Sequence, residues 1–193
     1  MTNRRKLSHE EIASVHNVVC NGEQMESGEL RFRLKKLTDG TAYIRTEADF
    51  NGGWQQSHFH QHVKETYIVQ KGWIGYAEFV NGEMLVAIYR SGQLFTTRPK
   101  IIHNVYMPGG AVIHTVKHGD APPDDLDDRK TNSETELFTD MTSVLSEDGI
   151  QRMAIARSDK KETYTAEYRH FDTLIWQLPT WSTAIFALTA VRL

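Results

Sequence analysis

From Leu30 to Lys117 the chain alternates apolar and polar residues in short runs broken by turn dipeptides. Asp39-Gly40 separates LRFRLKKL from TAYIRTEA, Lys71-Gly72 precedes WIGYAEFV, and Asn81-Gly82 parts that run from EMLVAIY. Pro108-Gly109-Gly110 divides HNVYM from AVIHTVK. Alternation at period two, punctuated by Asn-Gly and Asp-Gly, predicts antiparallel hairpins. Roughly eight or nine strands in succession without an intervening helix predict a mainly β sandwich or barrel. On the first strand Arg31, Arg33 and Lys35 alternate with Leu30, Phe32 and Leu34 and read as its wet face. Ahead of the strands, Ser8 with Glu11 forms a capping-box pattern that predicts a short helix over His9 to Val19.

After Lys117 the strand pattern stops. GDAPPDDLDDRKTNSE, residues 119–134, has the composition of a solvated acidic loop. Beyond it Leu137, Met141, Val144 and Leu145 fall at helical spacing, as do Tyr164, Tyr168, Phe171 and Ile175, with RMAIAR between them as a candidate strand. The expected organisation is a helical lead-in over 1–29, a β-barrel over 30–118, a linker over 119–134 and a mostly helical appendage over 135–193.

Composition changes this picture little. The 193 residues are 39% hydrophobic and 24% charged, enough for one domain with a proper core. A net charge of −3 with dispersed Lys and Arg argues against a nucleic-acid partner, since phosphate binding needs a concentrated basic surface. Cys20 is the only cysteine, which fits a reducing, cytoplasmic setting; no activating base stands near it, and it reads as structural rather than nucleophilic. No secretion-type apolar run follows the basic N-terminus. The closing stretch LIWQLPTWSTAIFALTAVRL, Leu174 to Leu193, approaches the length that spans a bilayer, but Pro179 and its polar residues dilute it. Packing on the core or in a dimer interface is the expectation, with membrane contact as the alternative.

The chemistry concentrates in GGWQQSHFHQHVKETYIVQKG, residues 52–72. Strand side chains alternate, so His58 and His60 share a face. Glu65 lies an odd number of residues after His60, so a turn must intervene before TYIVQKG. His103 opens another strand. Remote strands of a β-barrel bring inward side chains together, and these four residues can surround one cation; an accidental polar turn is the competing reading. Three imidazoles and a carboxylate suit a divalent first-row metal such as Fe, Mn, Ni or Zn.

This stretch resembles the first motif of the cupin superfamily, a glycine, five residues, His-x-His, four residues, Glu, six residues and a glycine, here Gly52, His58, His60, Glu65 and Gly72. Gly92 and His103 match the second motif, with Arg98 where its proline is expected, Pro99 one place later, Lys100 in place of a glycine and Met107 in place of an asparagine. The resemblance covers about residues 30–118. It implies a small antiparallel jelly-roll barrel with His58, His60, Glu65 and His103 holding a metal, often in a homodimer. It does not supply a reaction, because cupins include isomerases, epimerases, dioxygenases, decarboxylases, lyases, binding proteins and sensors.

Around the site, His62 is expected at the rim. Tyr67 shares the face of Glu65 and is a candidate to hydrogen-bond substrate or transfer a proton, or packs in the core. His114 is a candidate acid or base if its face lines the barrel, and otherwise a hydrogen-bonded core histidine. Lys117 and His118 close that strand, where a cation could meet a substrate anion. Phe95 and Thr97 are expected along the approach to His103, and Trp54 and Gln55 at the opening. Two functions follow. One is a metal-dependent enzyme acting on a small oxygen-rich molecule by isomerase, epimerase or oxygenase-like chemistry. The other is a non-catalytic metal- and ligand-binding module, a sensor that reaches a partner or a membrane through the apolar C-terminus.

Overall fold

The computed structural model of the chain describes residues 5–26, 28–122, 125 and 128–161. The chain divides into two compact units, Met1–Ala154 and Ile155–Leu193. The helical spacing read at Tyr164, Tyr168, Phe171 and Ile175, and the apolar stretch 174–193, lie outside the described residues. Among the described residues no helix is long and apolar enough to cross a membrane.

In chain order the elements are α1 (His9–Ser14), β1 (Val18–Gln24), β2 (Leu30–Lys36), β3 (Ala42–Glu47), β4 (Gly53–Trp54), β5 (Phe59–His60) and β6 (Lys64–Lys71). There follow β7 (Trp73–Val80), β8 (Glu83–Arg90), β9 (Leu94–Thr96), β10 (Ile102–Met107), β11 (Val112–His118), β12 (Arg129–Lys130), α2 (Ser133–Ser143) and α3 (Glu147–Lys161). The strands pair antiparallel in a six-stranded sheet, β1-β2-β3-β11-β6-β9, a four-stranded sheet, β4-β10-β7-β8, and a two-stranded ribbon, β12-β5. This is the mainly β, jelly-roll architecture that the alternation and the cupin resemblance imply.

The hairpins form where the turn dipeptides stand. Asn81 and Gly82 both adopt positive φ, 53° and 81°, the conformation a two-residue hairpin turn needs for the β7-β8 pair. Gly52 is confined more tightly. Its φ is 65°, and a Cβ there would lie 2.4 Å from the Met107 carbonyl oxygen.

The sheets face one another across Tyr67, Val69 and Ile113 of the larger and Ile74, Tyr76, Val105 and Met107 of the smaller. The other side of the smaller sheet packs Ala77, Val86, Ile102 and Tyr106 against Phe138 of α2 and Ile150 of α3. Burying Phe138 contributes roughly 3 kcal/mol.

Several expectations are corrected. The N-terminal helix ends at Ser14, and Val18 begins a strand that extends the sheet below residue 30. RMAIAR lies within α3, not in a strand. On α2 the buried positions are Thr135, Phe138 and Thr142, while Leu137 and Val144 are exposed. The faces of β2 are inverted: Leu30, Phe32 and Leu34 are exposed, whereas the side chains of Arg31 and Arg33 are only 18% and 21% exposed. Arg31 and Arg33 pair with Glu29 and Glu23, which neutralises these half-buried charges.

Candidate metal centre

The bend Gln61–Val63 reverses the parity of the chain between β5 and β6, so that Glu65 faces the same space as His60. His58 is bridged to His103 by reciprocal backbone hydrogen bonds of 3.1 and 2.9 Å, which aligns the start of β10 with the His-x-His segment. Lys100 occupies the glycine position of the second motif with φ 64°, and its N–H donates to the His60 carbonyl at 2.7 Å. The turn is therefore made without the glycine, at the cost of a left-handed lysine.

His58, His60, Glu65 and His103 each present one donor atom, and all four atoms lie within 4.8 Å of one another. Glu65 Oε1 is 3.3 Å from His60 Nε2, and Glu65 Oε2 is 3.3 Å from His103 Nε2 and 3.7 Å from His58 Nε2. Ligands about 2.1 Å from a shared ion stand roughly 3.0–3.4 Å apart along the edges of an octahedron or tetrahedron. The two separations of 3.3 Å match that requirement, and the 3.7 Å to His58 lies just beyond it.

The far nitrogens decide what these atoms can be. Nδ1 of His58 faces the Gln56 carbonyl at 3.1 Å, that of His60 the Asp128 carbonyl at 3.2 Å, and that of His103 the Ile101 carbonyl at 2.9 Å. A carbonyl only accepts, so each Nδ1 carries a proton, and each ring turns its Nε2, the nitrogen left to bind a metal, toward the carboxylate. Burial holds the His58 pKa down at about 4 against the favourable pull of Glu65, so that ring is neutral near pH 7. Burial opposes ionisation of Glu65, but hydrogen bonding to His103, His58 and His60 outweighs it and holds the carboxyl well below its usual range. His60 Nε2 is buried without a hydrogen-bond partner. Three Nε2 atoms and a carboxylate aimed at one point can share a single cation. The donor set fits a divalent first-row transition metal.

The surrounding residues divide by strand parity. Tyr67 is buried, and its hydroxyl donates to Glu65 Oε2 at 2.7 Å; burial and the nearby Glu65 charge push its pKa well above the usual range, so it stays a neutral donor. Thr97 is also buried. Its Oγ1 accepts the Glu65 N–H at 2.9 Å, and its own N–H donates to the Glu65 carbonyl at 2.8 Å, clamping the backbone of that residue. Phe95 stacks on Tyr67, ring centroids 5.1 Å apart, and holds the phenol in place. Gln55 follows β4 opposite Val105, with its amide 3.5 Å from Met107 Sδ.

His114 is not brought to this cluster. Thr115 pairs with Tyr67 on the inner face, so His114 points outward, where Nδ1 meets the Tyr43 hydroxyl and Nε2 the Gln70 side chain, both at 2.6 Å. His118 is likewise outward, against Thr66. Lys117 has the inward parity and brings its ammonium to 4.0 Å from Glu65 Oε1. Trp54 lies on the back of the smaller sheet, against Tyr106 and the Leu145 carbonyl, and does not frame the opening. His62 stands exposed, apart from the four donors. The residue that sequence reasoning missed is Asp128, which is 1% exposed and bonded to the bend after His60. Nothing in APPDDLDDRK distinguishes it from the other aspartates of that stretch.

No family profile matches the sequence, and no curated protein sequence does either. Among solved structures the chain is similar to oxalate decarboxylase from Bacillus subtilis. One such structure, concerned with its Mn(II) centres, aligns at a TM-score of 0.45 and 15% identity over 53% of this chain and 28% of that one. Another, at pH 4.6, aligns at 0.45 and 13% over 55% and 29%. The Lactobacillus farciminis oxalate decarboxylase in complex with formate aligns at 0.45 and 13% over 53% and 31%. The chain thus spans less than a third of the length of these proteins.

Proposed function

We propose that this protein is a metal-dependent enzyme of cupin type acting on a small, oxygen-rich anion, with His58, His60, Glu65 and His103 holding the ion. The observation that carries this reading is the convergence of three Nε2 atoms and a carboxylate, with each Nδ1 facing a backbone carbonyl. A divalent metal bound there would supply a Lewis acid and, for a redox-active ion, a site for dioxygen chemistry. His60, Glu65 and His103 are buried, while the His58 side chain keeps 11% exposure, so a ligand approaches past His58. Lys117 adds positive charge beside Glu65, which favours an anionic substrate.

Between the two reaction types, the protein's own residues favour oxygenase-like chemistry. Isomerisation or epimerisation needs a side chain that exchanges protons near neutral pH. His114 faces outward and Tyr67 is locked as a neutral phenol against Glu65, leaving Tyr67 to orient the carboxylate and donate a hydrogen bond. The test is oxygen consumption by iron- and manganese-loaded protein with a panel of small hydroxy- and keto-carboxylates. Substrate-dependent uptake that falls at least tenfold in Lys117→Met supports the reading. Aldose–ketose interconversion without uptake would move it to the isomerase class. Ligand binding without turnover would favour the sensing module, whose apolar C-terminus lies outside the described residues.

The homodimer that the resemblance implies finds support in the outer face of the larger sheet. Leu30, Phe32, Leu34, Tyr43 and Leu94 are 39–58% exposed there, an apolar surface of the kind that marks an interface. A cytoplasmic setting suits the exposed thiol of Cys20.

A further inference from the structure

We infer that Asp128 is a positioning residue for the metal centre, locking at once the bend between two of its ligands and the ring of one of them; this rests on the metal-centre reading above. His60 and Glu65 have opposite strand parity, so their convergence depends on the intervening bend at Gln61–Val63. Inside that bend the Asp128 carboxylate accepts three successive main-chain N–H groups, from Gln61 at 3.0 Å, His62 at 2.9 Å and Val63 at 2.6 Å. The same residue's carbonyl oxygen accepts His60 Nδ1–H at 3.2 Å, which fixes the tautomer and aims Nε2 at Glu65. The next residue, Arg129, pairs with His60 in the β12-β5 ribbon. Asp128 adopts a left-handed φ of 47°, so the chain bends to present both its carboxylate and its carbonyl to one strand.

His62, Asp125 and Asp128 also lie close enough to share an ion. That grouping is a lock rather than a second site. The Asp128 oxygens are already taken by backbone donors, and Asp125 pairs with Lys130 at 2.5 Å.

The test uses the full chain stripped of metal, titrated calorimetrically with Co2+, beside thermal melts of the metal-free protein. Asp128→Gly permits the left-handed backbone and deletes the carboxylate. At a temperature where circular dichroism shows it folded, its Co2+ dissociation constant should rise about 10- to 100-fold. Asp128→Asn keeps one acceptor oxygen and should lose less than about tenfold, and Asp125→Asn should bind like wild type. A purely structural role would lower the melting temperature of metal-free Asp128→Gly and leave its Co2+ affinity unchanged, which overturns the inference. Should that variant fail to fold, Asp128→Asn decides: weakened binding supports positioning, and wild-type binding overturns it. If wild type itself takes no Co2+, the metal-centre reading fails and this inference with it, whereas tight wild-type binding with an indifferent Asp128 removes only the inference.

Discussion

At the scale of the residue, the four donors are unequal in burial but alike in being held from behind. His60 and His103 are 1% and 0% exposed, each with Nδ1 on a carbonyl. Replacing either with Ala should abolish most metal retention, while His62→Ala should leave it near wild type; atomic absorption on the dialysed variants checks this. Acid should also destabilise the metal-free protein. An unfolded histidine takes up a proton near pH ~6.5, whereas His58 resists until about 4, so between these values the unfolded state holds the extra proton. Stability therefore falls as pH drops through that window, by at most about 3 kcal/mol for this ring. Glu65 works in the same direction at lower pH, because a carboxyl held down in the fold loses its contribution as it protonates. Thermal melts from pH 7 to 4 should show this decline, and a flat profile would mean that the His58 ring titrates in the fold as it does in the unfolded chain.

At the scale of the element, helices behind the smaller sheet brace the strand that carries His103. Asn104 Nδ2 donates to Thr142 Oγ1 at 2.8 Å, and the Tyr106 hydroxyl donates to Glu147 at 2.8 Å, both from β10. The fit is close at Gly75, where a Cβ would stand 2.9 Å from Ile150 Cγ2. Gly75→Ala should cost about 1–3 kcal/mol in urea melts, and Ile150→Ala in the same chain should recover part of that loss. The strands themselves were legible because period-two alternation and Asn-Gly turns are local signals, and so was the shared face of His58 and His60. Which face of β2 is buried was not: alternation fixes two faces, and only the ion pairs of Arg31 and Arg33 with Glu29 and Glu23 decide which turns inward. His114 failed for the same reason, since Val112 and Val116 suggested an inner face that belongs to Ile113 and Thr115. Asp128 was hidden because a buried acceptor for three N–H groups depends on a contact across 65 residues of chain.

At the scale of the whole molecule, the two faces of the larger sheet carry different work. Its inner face delivers Glu65, Tyr67 and Lys117 to the side of the three histidines, and its outer face leaves Phe32 and Leu34 45% and 48% exposed. Phe32→Glu should turn a dimer into a monomer in sedimentation velocity without changing metal content, because the side chain points away from the centre. The function proposed for the site requires a cation between the four donors. The most direct measurement is elemental mass spectrometry of wild-type protein and His60→Ala, both purified without chelators or an affinity metal and reconstituted with first-row divalent ions. About one equivalent of transition metal per chain in wild type, and little in His60→Ala, is the predicted result. Wild-type protein that holds no metal after reconstitution, or a His60→Ala variant that holds as much, would contradict it.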